Sequence, residues 1–165
     1  MVKSLFLRTI MMGGIDGIIT IFNIISGIEG SKLNYKYIFI LGIATLLSDA
    51  ISMGTGEYIS VKAEKKYKNL NNTINPFKNG IIMFISFVIF GTIPLCIYFI
   101  ALKINPKNKY INTYISVLIT LFILGIIKSK YTKDTWYISG GYNMVYGGIA
   151  SMLAFNVSRF ISSFI

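Results

Sequence analysis

The stretch DAISMGTGEYISVKAE at residues 49–64 decides how this chain is built, because it closes a long apolar run and still contains carboxylates. Asp49 and Glu57 stand where a membrane-spanning helix normally carries no charge, and Met53 lies midway between them. An ionisable group inside a bilayer is costly, so such residues usually mark a pathway or a binding site. The stretch therefore predicts a polar function within a membrane-spanning helix.

The composition of the whole chain is that of a membrane protein. Of its 165 residues, 54% are hydrophobic and 13% are charged, against roughly 25% charged residues in soluble domains. A soluble domain of this size has no core large enough for so much apolar surface. The sequence predicts an all-α, integral multi-pass membrane protein with a single domain.

Five apolar runs are long enough to cross a hydrocarbon core of about 30 Å, which requires about 20 helical residues. The first run contains Asp16 and has no small-residue cleavage site at its end, so we expect a first spanning helix rather than a signal peptide. The predicted spans are 10–29, 37–61, 79–101, 110–128 and 142–164. The segments between them are short and carry turn-forming residues.

The net charge of +10 reflects basic residues in the short loops, which indicates membrane topology rather than binding to nucleic acid. The basic residues divide into two sets that lie on opposite sides of the membrane, and a cytoplasmic N-terminus puts the larger set in the cytoplasm. That set is Lys3, Arg8, Lys62, Lys65, Lys66, Lys68, Lys78, Lys128, Lys130 and Lys133. The smaller, outer set is Lys32, Lys36, Lys103, Lys107 and Lys109. We therefore expect a cytoplasmic N-terminus and an outer C-terminus.

Histidine is absent and Cys96 is the only cysteine, which excludes disulfides within the chain and His/Cys zinc sites. Any metal must be held by carboxylates, methionine sulfur, amide or hydroxyl oxygens, or backbone carbonyls. No cofactor is expected.

A helical wheel of the second span gathers its polar residues on one side. Relative to Asp49, Met53 lies at about +40°, Glu57 at about +80°, Ser60 at about +20° and Glu64 at about +60°. An acidic stripe that descends toward the cytoplasmic end suits a route for cations. The alternative is that Glu57 and Glu64 lie in the interface and pair with lysines.

The first span carries a second polar stripe. Relative to Asp16, Met12 lies at about −40°, Thr20 at about +40° and Asn23 at about −20°. Hydrogen bonding between helices is the alternative explanation for such a stripe. Hydrogen bonding between helices explains Thr20 and Asn23 well. It explains Asp16 poorly, because burying a carboxylate in hydrocarbon costs far more free energy than burying an amide.

The chemistry of these side chains narrows the range of ions that they could bind. Carboxylate and carbonyl oxygens suit Mg²⁺, Ca²⁺ and Mn²⁺, whereas a thioether favours softer ions, so the mixed set favours Fe²⁺ or Mn²⁺. Burial among apolar helices disfavours the charged carboxylate, which allows a proton to exchange against a metal ion.

The motifs resemble those of the vacuolar iron transporter family. The specific blocks are GIDGIIT at residues 14–20 and SDAISMGTGEYISVK at 48–62; LGIIKS at 124–129 and GGIA at 147–150 resemble later segments of the family. The resemblance implies a five-helix homodimer that exports Fe²⁺, and often Mn²⁺, from the cytosol into a vacuole or out of the cell, coupled to protons.

In that family the ion path lies at the dimer interface and is lined by the Asp of helix one and the Met of helix two. The resemblance carries these roles to Asp16 and Met53, with Glu57 in the adjoining motif. Plant members carry an extended helical metal-binding region after helix two. Residues 62–78 form only a short basic segment with Glu64 as its sole acid.

The resulting hypothesis is a secondary transporter for Fe²⁺ or Mn²⁺ in a cell membrane or a vacuole-type membrane. A cytosolic ion enters near Glu64 and Glu57, passes Met53, and reaches Asp16 and Asp49. One alternative is a non-transporting membrane adaptor whose polar residues tie helices together. Another is a membrane enzyme using Asp16 and Asp49, which the absence of a nucleophile motif disfavours, so we expect no enzyme.

Overall fold

The computed structural model describes residues 2–67, 75–132 and 134–164, and the regular structure in these ranges is helical. Five helices follow one another along the chain. They are α1 (Val2–Gly30), α2 (Lys36–Tyr67), α3 (Pro76–Ile104), α4 (Lys109–Thr132) and α5 (Trp136–Ile161). All five are long and apolar enough to cross a membrane, which confirms the predicted all-α, five-span architecture.

The helices extend beyond most of the predicted span ends. Helix α1 begins at Val2 rather than at 10, and α5 begins at Trp136 rather than at 142. Residues 62–67, expected to belong to the loop at 62–78, continue α2, so Glu64 is a helical residue. The predictions counted only residues inside hydrocarbon, whereas helical hydrogen bonding continues into the polar interface. Residues 68–74 of that predicted loop lie outside the described ranges.

Local sequence explains two of the helix ends. Before α3, the side-chain oxygen of Asn75 accepts hydrogen bonds from the backbone N–H groups of Phe77 and Lys78, at 3.1 and 3.3 Å. Pro76 follows at the first helical position, where a missing N–H costs nothing. At the end of α1, Lys32 adopts a φ of 56°. This left-handed residue lets the N–H of Leu33 bond back to the carbonyl of Ile28 at 3.2 Å, closing the helix.

Helix α1 lies at the centre of the bundle and contacts each of the other four helices. Helices α2 and α3 pack on one side of it, and α4 and α5 on the other, while α2 has no contact with α4 or α5 in the described ranges. The α1–α2–α3 core is built on Ile21, Ile25, Leu46, Phe87 and Tyr98. A second core joins α1 and α4 through Ile18, Phe22, Val117, Leu121 and Leu124.

Glycines let the helices approach closely. A Cβ added at Gly17 would lie 2.6 Å from the carbonyl oxygen of Phe87 and 3.2 Å from the backbone nitrogen of Gly91. A Cβ at Gly54 would lie 2.9 Å from the carbonyl oxygen of Gly80. Small residues at such crossings allow backbones to pack directly, which is how helices associate in lipid. The position of α1 therefore depends on its contact with α3.

An ion pair joins helix ends on the side of the bundle opposite the N-terminus of α1. The ammonium of Lys109 lies 2.8 Å from the carboxylate of Glu29, and both side chains are partly buried. The hydroxyl of Tyr98 donates to the same carboxylate. Glu29 therefore ties the end of α1 to α3 and to the start of α4.

The α1–α3 crossing gives a stability prediction. Gly17→Ala should lower the free energy of unfolding by about 1–3 kcal/mol, because the new methyl group meets backbone atoms that cannot turn aside. The measurement is the thermal unfolding midpoint of detergent-purified protein. Gly141→Ala is the matched control, since a Cβ at Gly141 meets nothing within 4 Å. Equal midpoints for the two variants would contradict the close crossing.

Candidate metal-binding groove

A groove of about 690 Å³ opens along α1, with α2, α4 and α5 at its sides. We call it the α1 groove. Its lining consists of Leu7, Arg8, Met11, Met12, Ile15, Asp16, Ile19, Met53, Lys128, Thr132 and Asn143. Its surface is mostly apolar, so the few polar and sulfur atoms determine what it can bind.

Asp16 and Met53 both line this groove, although they come from different helices. The side chain of Asp16 is exposed to the groove, and Met53 is partly buried against the α1–α2–α3 core. Met11 and Met12 add two further thioethers on α1. The groove thus offers one carboxylate and methionine sulfur, the mixed donor set that the sequence predicts.

Asp49 lies near the groove without lining it. It is partly buried on α2, one helical turn before Met53. Asp49 therefore belongs to the helix that supplies the groove with its α2 thioether.

Glu57 faces elsewhere on α2. It is 6% exposed, and one of its carboxylate oxygens accepts a hydrogen bond of 2.8 Å from the hydroxyl of Thr9 on α1. It therefore lies in the α1–α2 contact and is absent from the lining of the groove. Asn79 of α3 is fully buried, and neither polar atom of its amide has a hydrogen-bond partner.

Helix contacts set Asn79 at the same height as the Thr9–Glu57 pair. Its neighbour Gly80 packs on Gly54 and Tyr58, which flank Glu57 on α2. The side chain of Met83, one turn after Asn79, packs on Gly13, one turn after Thr9. These contacts define a buried polar junction of Thr9, Glu57 and Asn79, separate from the α1 groove.

Two further predicted site residues lie outside the groove. Asn23 is two turns beyond Asp16 on α1, and its side-chain oxygen is buried without a hydrogen-bond partner. Glu64 is partly buried near the end of α2. Of the six predicted residues, the structure brings Asp16 and Met53 together in the groove lining, and Asp49 lies one turn before Met53 on α2.

Sequence reasoning missed four polar residues of the groove: Arg8, Lys128, Thr132 and Asn143. The two basic residues were interpreted only as topology signals. Asn143 precedes Gly147 by one helical turn, so it shares a face of α5 with that glycine. A polar amide on that face was the available signal.

The donors in one chain do not by themselves form a closed metal site. In residues 2–67, 75–132 and 134–164, no three acidic, histidine or cysteine side chains cluster to hold a metal ion. An ion at Asp16 would complete its coordination with methionine sulfur, amide oxygen, water or groups from outside the chain.

Known proteins resemble this chain over most of its length. The model of the VIT family matches residues 7–73 and 68–159. A vacuolar iron transporter of Plasmodium falciparum is 30% identical, covering 90% of this chain and 80% of its own length. A vacuolar iron transporter of Toxoplasma gondii is 25% identical, covering 96% and 75%. The vacuolar iron transporter homolog 2.1 of Arabidopsis thaliana is 24% identical, covering 99% and 84%.

These matches confirm the resemblance to the vacuolar iron transporter family that the motifs indicated. Together with five helices of membrane-spanning length and composition, they make the protein an integral multi-pass membrane protein. The chain belongs to the VIT family.

Proposed function

We propose that this protein transports Fe²⁺, and also Mn²⁺, out of the cytosol across a cell membrane or a vacuole-type membrane in exchange for protons. The observation that carries the proposal is the presence of Asp16 and Met53 in one groove of a membrane-spanning bundle. A carboxylate beside a thioether suits borderline divalent ions of the first transition row better than Mg²⁺ or Ca²⁺. The iron transport in the names of the curated relatives supports the same ion.

Two carboxylates on adjacent membrane-spanning helices, Asp16 on α1 and Asp49 on α2, support exchange of a metal ion for protons. A buried carboxylate is stabilised by binding either a cation or a proton. Release of the metal on the far side is then favoured when protons replace it there. The cycle needs no other counter-ion.

The proposed orientation rests on the positive-inside rule. The N-terminal end of α1 carries Arg8, and the excess of lysines on that side supports a cytosolic location for this end. Arg8 and Lys128 line the groove at this end, and Asp16 lies two turns further along α1. We therefore assign the Arg8 end of the groove as the cytosolic entrance.

A homodimer would complete the site. The exposed carboxylate of Asp16 within a spanning helix cannot face lipid without a large cost in free energy. A stripe of small residues on α2 is exposed beside this region: Ala44, Ser48, Ser52, Gly56 and Ser60. Small residues repeated every four positions allow close packing of helices in lipid. We propose that a second copy packs on this stripe and shields Asp16.

Positive charge at the entrance regulates entry of the ion. Within the described ranges, neither Arg8 nor Lys128 has an acidic partner. At a separation of about 10 Å in water, each unit charge repels a divalent cation by about 0.8 kcal/mol. The entrance thus lowers the local concentration of free metal.

The first test is uptake of Fe²⁺ into proteoliposomes under reducing conditions with an opposing pH gradient. Asp16→Ala and Met53→Ala should each reduce the initial rate at least about tenfold, the loss expected when about 1.4 kcal/mol of binding is removed. Asp134→Ala is the control, because Asp134 is an exposed acid outside the groove lining. Uptake by both groove variants at the wild-type rate would overturn the assigned path. Retention of cellular function by Asp16→Asn would favour the adaptor instead.

The second test is cross-linking of cysteines in native membranes, with Cys96→Ser as the background. Ser48→Cys and Ser52→Cys should give a cross-linked dimer with a short bifunctional maleimide, because both positions lie on the α2 stripe. Ile89→Cys on α3 is the control; Ile89 is 59% exposed and lies on another helix face. Equal cross-linking at all three positions would indicate random collision and contradict the interface.

The third test concerns the entrance charges. Arg8→Gln and Lys128→Gln should each raise the apparent affinity for Fe²⁺ about two- to fourfold at low ionic strength. The effect should vanish in 1 M salt, where the Debye length is about 3 Å. Lys130→Gln is the control, since Lys130 is exposed on the same helix and does not line the groove. An equal gain from Lys130→Gln would rule out a local effect at the entrance.

A further inference from the structure

Asn143 is a buried polar residue of the α1 groove that neither the motifs nor the transport hypothesis uses. It lies on α5, is 7% exposed, and lines the groove together with Asp16 and Met53. Its amide nitrogen is buried and has no hydrogen-bond partner. A buried polar group left in this state costs about 1–3 kcal/mol, so its presence in an apolar helix requires an explanation.

The register of α5 on α1 sets Asn143 at the height of Asp16. One turn after Asn143, a Cβ at Gly147 would lie 3.6 Å from Ile19 on α1. Further along, a Cβ at Gly27 would lie 3.1 Å from the hydroxyl of Ser158 on α5. The two helices therefore run in the same direction. One turn back from the Gly147–Ile19 contact, Asn143 reaches the level of Ile15 and Asp16.

Interhelical hydrogen bonding does not explain this amide. An asparagine that ties helices together has a partner on the neighbouring helix or on its own backbone. Asn156, also on α5, follows that pattern, since its amide nitrogen donates to the carbonyl of Met152 at 2.8 Å. Asn143 has no such bond at its amide nitrogen in the described chain, so hydrogen bonding between helices does not account for its place in the groove lining.

We propose that Asn143 is a ligand-bearing residue of the groove, and that its amide oxygen binds the transported divalent cation beside Asp16 and Met53. The inference rests on the proposed transport function. An amide carries an oxygen acceptor as well as nitrogen donors, and the oxygen is the atom that binds a cation; in Asn143 the nitrogen is the buried atom without a partner, and the oxygen is not. The site then has one charged oxygen, one neutral oxygen and thioether sulfur, from α1, α5 and α2.

A neutral oxygen at this position affects which metal is preferred. Replacing it with a carboxylate makes the donor set harder and favours Mn²⁺ over Fe²⁺, whereas replacing it with a thioether has the opposite effect. A residue that only packs α5 against α1 would change stability without moving the metal preference. Opposite shifts in two variants therefore separate a ligand from a packing residue.

The experiment measures binding of Fe²⁺ and Mn²⁺, each added alone under anaerobic conditions, to the purified full chain. Asn143→Leu should weaken binding of both ions about tenfold. Asn143→Asp should raise the Mn²⁺ to Fe²⁺ affinity ratio at least about threefold, and Asn143→Met should lower it by a similar factor. Asn156→Asp and Asn156→Met are the matched controls on the same helix and should leave the ratio unchanged.

The outcomes separate this inference from the proposed function. If the wild-type chain binds neither ion, the transport proposal fails. If wild type binds both and the Asp and Met variants at 143 keep its affinity ratio, Asn143 is no ligand and the inference is overturned. Should Asn143→Leu not fold, as judged by size-exclusion chromatography, the two polar variants and their controls still decide the question.

Discussion

The structure depends on one constraint, which is that a carboxylate in a membrane-spanning helix must not face lipid. Asp16 lies in a groove between helices, and the second copy proposed to pack on α2 would close the exposed side of that groove to lipid. The groove exists because α2 does not contact α4 or α5 in the described chain, so one side of α1 stays uncovered. The fold therefore preserves access to Asp16 at the expense of packing that a purely structural bundle would complete.

Keeping one side of α1 open requires strong support on its other sides. Gly17 brings the backbone of α1 against α3, and Ile18 and Phe22 bury the adjacent face against α4. Glu29 fixes the end of α1 through Lys109 and Tyr98. Direct backbone contact leaves little freedom for the helix to shift, so Asp16 is held by a rigid element. Precise placement matters for a site that offers few donors.

The sequence predicted those features whose signal lies within one segment. Apolar length predicted five helices, and a carboxylate at mid-span singled out Asp16, which lines the groove. Met53 was assigned through the resemblance as well as the wheel. Asn143 was missed because its significance depends on the register between α5 and α1, which no single-helix pattern contains. The helix ends were missed because hydrogen bonding within a helix continues past the hydrocarbon, where apolar periodicity stops.

Glu57 illustrates why a helical wheel is insufficient for residues on one stripe. The wheel separates Glu57 from Met53 by only about 40°, yet Met53 lines the groove while Glu57 bonds to Thr9 inside the α1–α2 contact. The side chains of Met53 and Glu57 are long, so a divergence of this size is enough for them to contact different neighbours where α2 packs on α1. Met53 and Glu57 are one turn apart on the same helix, so α2 supplies both a thioether to the groove and a carboxylate to the buried polar junction at Thr9, Glu57 and Asn79.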